Sequence, residues 1–272
     1  MSTELVRAAK TKTGDSLKFI CLSDYQGATK YLPFIPLLVR NEEPDFIFYC
    51  GGSMRGEKRL LEYETARKFH SKPDLDSPVI QKEFHEDSIH LQQFLLALAD
   101  TQKTIYEIPG LEDAPEAHYF KTIYNLSSIY PNLQPTHEML HHEEAFSVAG
   151  FGGEITLSED QRELILQYST SWAEFSLRRL EYFPGDKILL FHSPPVCRLD
   201  MSDGEHCGVL LINEIIERVS PTLVICGRAK LGQGLVKMGK TTVVNPGPLF
   251  QGNYAVVDFP SLDVRFGNME DF

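Results

Sequence analysis

Short apolar runs alternate with amphipathic stretches along most of the chain, an order that predicts an α/β protein. In the first half the strand candidates are residues 17–24 (LKFICLSD), 45–51 (DFIFYCG), 104–110 (TIYEIPG) and 145–153 (AFSVAGFGG). Each is rich in β-branched or aromatic residues and is closed by Gly, Asp or Pro. The second half continues with 187–195 (KILLFHSPP), 222–227 (TLVICG), 241–247 (TTVVNPG), 253–259 (NYAVVDF) and 262–267 (LDVRFG). The last four follow one another too closely for a helix of ordinary length, which predicts antiparallel pairing among them. Helical spacing joins Leu91, Leu95 and Leu98; Leu164, Tyr168, Trp172 and Phe175; and Val209, Ile212, Ile216 and Val219. Ser158 followed by Gln161 reads as a capping box opening the Trp172 helix, whose aromatic stripe is expected to be buried against a sheet. Residues 71–79 (SKPDLDSPV) read as an exposed loop. The polar residues 1–16 form a lead-in, and 17–272 are read as one domain.

Composition narrows the function classes. A 272-residue chain that is 42% apolar can bury a substantial core. Its net charge of −12 leaves no basic stripe for a nucleic-acid backbone, so no nucleic acid is expected as a partner. The five cysteines form no C-x-x-C pair, and Cys21, Cys50 and Cys226 fall inside apolar runs, a usage that suits a reducing cytosol. No apolar stretch approaches the roughly 20 residues that span a bilayer, and the N-terminus lacks the apolar core of a signal peptide. A cytoplasmic protein with no membrane association is expected.

In an open α/β sheet the chemistry gathers in the loops beyond the carboxyl ends of the strands. Here those loops read SDYQG, GGSMRG, PGLED, FHSPP, CGRAKLGQG and NPGPLFQG. Their order and content resemble the calcineurin-like metallophosphoesterases, whose loops read D-x-H, G-D-x-x-x-x-G, G-N-H-D/E, a lone H after a strand, and G-H-x-H. The resemblance runs from Leu17 to about Gly267. It implies a four-layer α/β/β/α sandwich with two mixed sheets. A prokaryotic branch sharing P-G-x-x-D-A-P and V-x-P-G, and itself lacking much of the ligand set, is especially similar.

That family's chemistry uses two cations roughly 3.5–4 Å apart, a bridging carboxylate, and positions open to phosphate and hydroxide. By the resemblance, Asp24 matches the first aspartate, His192 the lone histidine, and Asp113 the acid of the third loop. Gln26 replaces the histidine of D-x-H, and Gly52 the bridging aspartate. Leu111 and Glu112 stand for Asn and His, while Arg228 and Lys230 replace both histidines of G-H-x-H. Leaving aside Asp113, six of the eight ligand positions have therefore changed. Arg cannot become a ligand by losing a proton, and Gly52 has no bridging oxygen.

Several outcomes follow. No cofactor is expected, though manganese or zinc would serve if the site were active. One ion on Asp24, Glu112 and His192 is an alternative, giving a phosphoesterase with His206 as general acid. Arg228 and Lys230 would instead neutralise Asp24, Glu112 or Asp113, or bind an anion directly. The favoured reading is an inactive or impaired homologue, a module that binds a phosphate-bearing or other anionic small molecule or a protein partner. Catalytic residues are otherwise unassigned.

Residues 234–241 (GLVKMGKT) satisfy the P-loop pattern, but the β-branched run that follows opens no helix, so nucleotide binding there is not expected. His141 and His142, adjacent in sequence, read as solvated. Ser53 lacks the surroundings of a nucleophile elbow.

Overall fold

The computed structural model describes residues 16–157, 162–202 and 204–272. In the first half the strands are β1 (Leu17–Leu22), β2 (Phe46–Tyr49), β3 (Thr104–Glu107), β4 (Leu133–Pro135), β5 (Leu140–His142), β6 (Ser147–Phe151) and β7 (Glu154–Thr156). They continue as β8 (Gln167–Ser169), β9 (Lys187–Phe191), β10 (Met201–Ser202), β11 (Glu205–His206) and β12 (Leu223–Cys226). The last are β13 (Gly234–Met238), β14 (Thr241–Asn245), β15 (Asn253–Phe259) and β16 (Asp263–Asn268). The α-helices are α1 (Ile35–Glu42), α2 (Glu57–Phe69), α3 (Pro78–Ala99), α4 (Glu116–Ile129), α5 (Thr170–Leu177) and α6 (Leu210–Val219).

Two six-stranded mixed sheets form, ordered β16-β15-β1-β2-β3-β4 and β13-β14-β12-β9-β6-β5. Alternate residues of each central strand point to opposite faces, and both faces are covered, so these strands are apolar throughout rather than alternating. On β1, Phe19 joins Phe48, Phe146, Ile188 and Ile225 between the sheets. Its neighbour Ile20 turns outward to Phe94, Leu98 and Ile123 of α3 and α4. The outer face of the second sheet is covered by α5 and α6, with Ile212 and Ile216 among Leu189 and Val224. The four layers implied by the loop motifs are thus helices, sheet, sheet and helices. No helix of the described residues is long and apolar enough to cross a membrane.

Three local expectations need correction. First, β12 and β14 pair in parallel. The chain between them forms β13, which returns antiparallel on β14 at the sheet edge, so a strand rather than a helix makes the connection. The P-loop-like segment is this β13–β14 hairpin. β14 and β15 then lie in different sheets, and only β15 and β16 form the expected antiparallel hairpin.

Second, the Trp172 helix starts late and does not bury its stripe. Tyr168 belongs to β8, which pairs with β7, and the helix begins at Thr170 with the Ser169 hydroxyl accepting from the Trp172 N–H at 3.3 Å. This short helix buries the small face of Ala173 and Leu177, leaving Trp172 42% and Phe175 73% exposed. The capping pair Ser158 and Gln161 lies outside the described residues. Third, Pro78 is the first residue of α3, so the exposed loop ends at Ser77.

Candidate functional site

The loops after the strands interlock at one end of both sheets. The N–H of Asp24 donates to Gly51 O at 2.8 Å, that of Gln26 to Gly52 O at 2.8 Å, and that of Gly227 to His192 O at 3.2 Å. Asp24, Gln26 and Arg228 all hold left-handed backbone, with φ of 54°, 46° and 62°. Non-glycine residues adopt that conformation only where surrounding bonds enforce it. Above the loops lies a cavity of about 480 Å³. Asp24, Gln26, Leu111, Glu112, Arg228 and Lys230 line it, together with Glu154 and His206. Gly52, Asp113 and His192 sit beneath.

Backbone fills the floor. A Cβ on Gly52, whose φ is +79°, would stand 2.8 Å from Asp24 Oδ1. One on Gly110 would stand 2.1 Å from Gly52 N and 2.8 Å from His192 Cε1. The second and third loops approach this closely only because both residues lack side chains. Asp113 clamps them together: its carboxylate accepts N–H bonds from Gly52, Ser53, Met54 and Gly110 at 2.6–3.0 Å. Ser53 is wholly buried, its hydroxyl on Tyr49 Oη, which accords with a residue that is no nucleophile.

His192 Nδ1 lies 2.8 Å from the Cys50 carbonyl, which can only accept, so Nδ1 carries the hydrogen and Nε2 presents a lone pair. That lone pair faces Glu112 Oε2 at 4.0 Å, too far for a direct hydrogen bond. Among the described residues neither atom has a hydrogen-bond partner. Burial raises the Glu112 carboxyl and lowers the His192 imidazole, each shift opposed by the other's charge. Burial also pushes Asp24 up to about 6, against the Ser23 hydroxyl, the Arg228 N–H and the charge of Lys230.

The Arg228 guanidinium takes an ion-pair partner the sequence did not suggest. Arg228 Nη2 pairs with Glu154 Oε1 at 2.6 Å, and only its backbone N–H reaches Asp24, at 3.0 Å. Glu154 lies on the short strand β7, in no motif, and nothing in the sequence marked it. His206 is an exposed residue of β11, not of a loop, and its Nδ1 meets the buried carboxylate of Asp200 at 2.7 Å. Asp200 was also unforeseen; its only signal is that it precedes a histidine by six residues. His141 and His142 lie on the short edge strand β5 and take no part. His142 is exposed, but His141 is half-buried, its Nε2 on Pro135 O, so the solvated reading holds for His142 alone.

Among the described residues no three His, Cys, Asp or Glu side chains are gathered so as to hold a metal ion. Asp113 spends its carboxylate on backbone, Gly52 leaves no room for a bridging side chain, and a guanidinium and an ammonium face the cavity. The residues present do not fit a metal pair.

This architecture with these loops defines a phosphoesterase class. The chain belongs to the calcineurin superfamily of metallophosphoesterases, whose model matches residues 15–269. A search of curated proteins found no match. One solved crystal structure is 26% identical, covering 94% of this chain and 100% of its own, with a TM-score of 0.86. TT1561 of Thermus thermophilus is 23% identical over 94% of this chain and 100% of its own, with a TM-score of 0.72. A dimetal phosphatase from Danio rerio is 11% identical over 93% and 99%, with a TM-score of 0.56. The protein is therefore a metallophosphoesterase-fold chain whose described residues carry no intact metal cluster.

Proposed function

We propose that this protein is a non-hydrolysing homologue that binds a small phosphate-bearing molecule in the cavity above Asp24 and Glu112. The observation that carries the reading is the placement of Arg228 and Lys230 on the cavity wall, at the two positions where the family pattern has histidines. A guanidinium has five N–H donors in a planar fork, so Glu154 can orient Arg228 through one edge while the other meets phosphate oxygens. Lys230 adds a point charge. Without a metal pair, no hydroxide is generated for attack, and a bound ester is held rather than cleaved.

Calorimetric titration with inorganic phosphate and with ethyl phosphate tests this. The parent should bind both, and an Arg228→Gln, Lys230→Gln double variant should lose at least about tenfold in affinity, as expected for charge-assisted bonds. Manganese or zinc should leave p-nitrophenyl phosphate hydrolysis at the rate of the buffer. Equal affinity in parent and variant would overturn the assignment of these two side chains, and metal-stimulated hydrolysis would overturn the non-hydrolysing reading.

A further inference from the structure

Two buried atoms, Glu112 Oε2 and His192 Nε2, face each other just beneath the cavity, and among the described residues neither has a donor. With Nδ1 donating to the Cys50 carbonyl, the neutral imidazole of buried His192 presents Nε2 as a lone pair, and Glu112 Oε2 is a carboxyl oxygen 4.0 Å from it. Neither has a partner among the described residues. A buried acceptor left unsatisfied is costly, and two that face each other call for a group carrying at least two hydrogens. A proton on Glu112 does not answer this, because 4.0 Å exceeds the reach of a direct bond.

The charges around the cavity make the same demand. Among the described residues five carboxylates line it against the two basic side chains Arg228 and Lys230, and Arg228 pairs with one of them, Glu154. A phosphate alone would meet Arg228 and Lys230 but leave the excess of carboxylates unanswered. A divalent ion would answer the charge, but it requires three or more donors, and the described residues supply no such group. An alkylammonium needs only acceptors and offers three hydrogens.

We propose that the natural ligand is a phosphate monoester that also carries a primary ammonium group, seated between Glu112 and His192 while the phosphate meets Arg228 and Lys230. This rests on the phosphate-binding reading above and adds the second half of the ligand. Lone-pair donors that no longer suffice for a metal still suffice for hydrogen bonds.

The test compares phosphoethanolamine, ethyl phosphate and inorganic phosphate by calorimetry on the full chain and on Glu112→Gln. The parent should bind phosphoethanolamine at least about tenfold more tightly than ethyl phosphate, the gain expected of charge-assisted bonds to buried acceptors. In Glu112→Gln that ratio should fall to about one, because the carboxamide carries no negative charge to pair with the ammonium. Ethyl phosphate should still bind the variant, no more weakly than it binds the parent, which also shows that the variant is folded. Equal binding of the two esters by the parent would overturn this inference while leaving phosphate binding intact, and a water between the two acceptors would then be the explanation. Failure of all three probes to bind the parent would overturn the phosphate reading and this inference with it.

Discussion

Glu107 ends β3 directly beneath the third loop, wholly buried, with the Tyr119 hydroxyl donating to its Oε2. Burial pushes its pKa from 4.5 up to about 8, opposed by the Tyr119 bond and reinforced by the nearby Asp113 charge. The folded chain therefore holds a proton there that the unfolded chain gives up near pH 4.5. Between those two values the native state binds more protons, so stability falls as pH rises and levels off above about 8. Asp24, raised to about 6, adds a similar decline in the lower part of the window. Glu107→Gln keeps the neutral form, so urea unfolding from about pH 6 to 8 should show a flatter stability profile than the parent, by a few kcal/mol at most. An unchanged slope would show that Glu107 ionises normally. At this scale the sequence reading was uneven. Asp24, Asp113 and His192 were legible because they occupy motif positions, and Gly52 because an aspartate is missing from one. Glu154, Asp200 and Glu107 were not, since a carboxylate gains its partner only from tertiary proximity.

The elements behind the site explain how its loops keep their shape without metal. α2 and α3 meet at a buried ion pair, Arg59 Nη2 to Asp87 Oδ2 at 2.8 Å. The same Nη2 bonds the Glu112 carbonyl at 3.0 Å, and Asp87 accepts the N–H groups of Arg55 and Gly56. This ties the second loop, the third loop and both helices together. Removing one charge of such a pair strands the other, so Asp87→Asn should cost about 3–5 kcal/mol in chemical denaturation. A loss below about 1 kcal/mol would show that the pair does not organise the loops. Neither helix pairing nor ion pair was legible: α2 buries only Arg59 and Ala66, so it carries no apolar period to read. The long central strands were legible because both faces of each sheet are covered, which leaves dense apolar runs; short strands such as β4, β5, β7 and β8 and the edge strand β13 carry no such run and were not. The Trp172 stripe misled because helical spacing in sequence continued across a strand, β8, into a helix too short to bury it.

At the scale of the whole molecule, the two-sheet sandwich follows from the apolar runs and the loop motifs together. The motifs sit at strand ends, and the backbone there is held by bonds within the chain. Asp113 takes four N–H groups, the Gly52 and Gly110 backbones interlock, and Arg228 with Lys230 supplies positive charge. A net charge of −12 gives the surface a general attraction for cations, so a metal measurement must separate site binding from loose association. The most direct measurement is metal content of the purified protein after incubation with manganese or zinc and desalting, beside an Asp24→Ala, His192→Ala double variant. Parent and variant should carry the same small, substoichiometric amount; one or two ions per chain in the parent, lost in the variant, would contradict this account and restore a metal-dependent phosphoesterase.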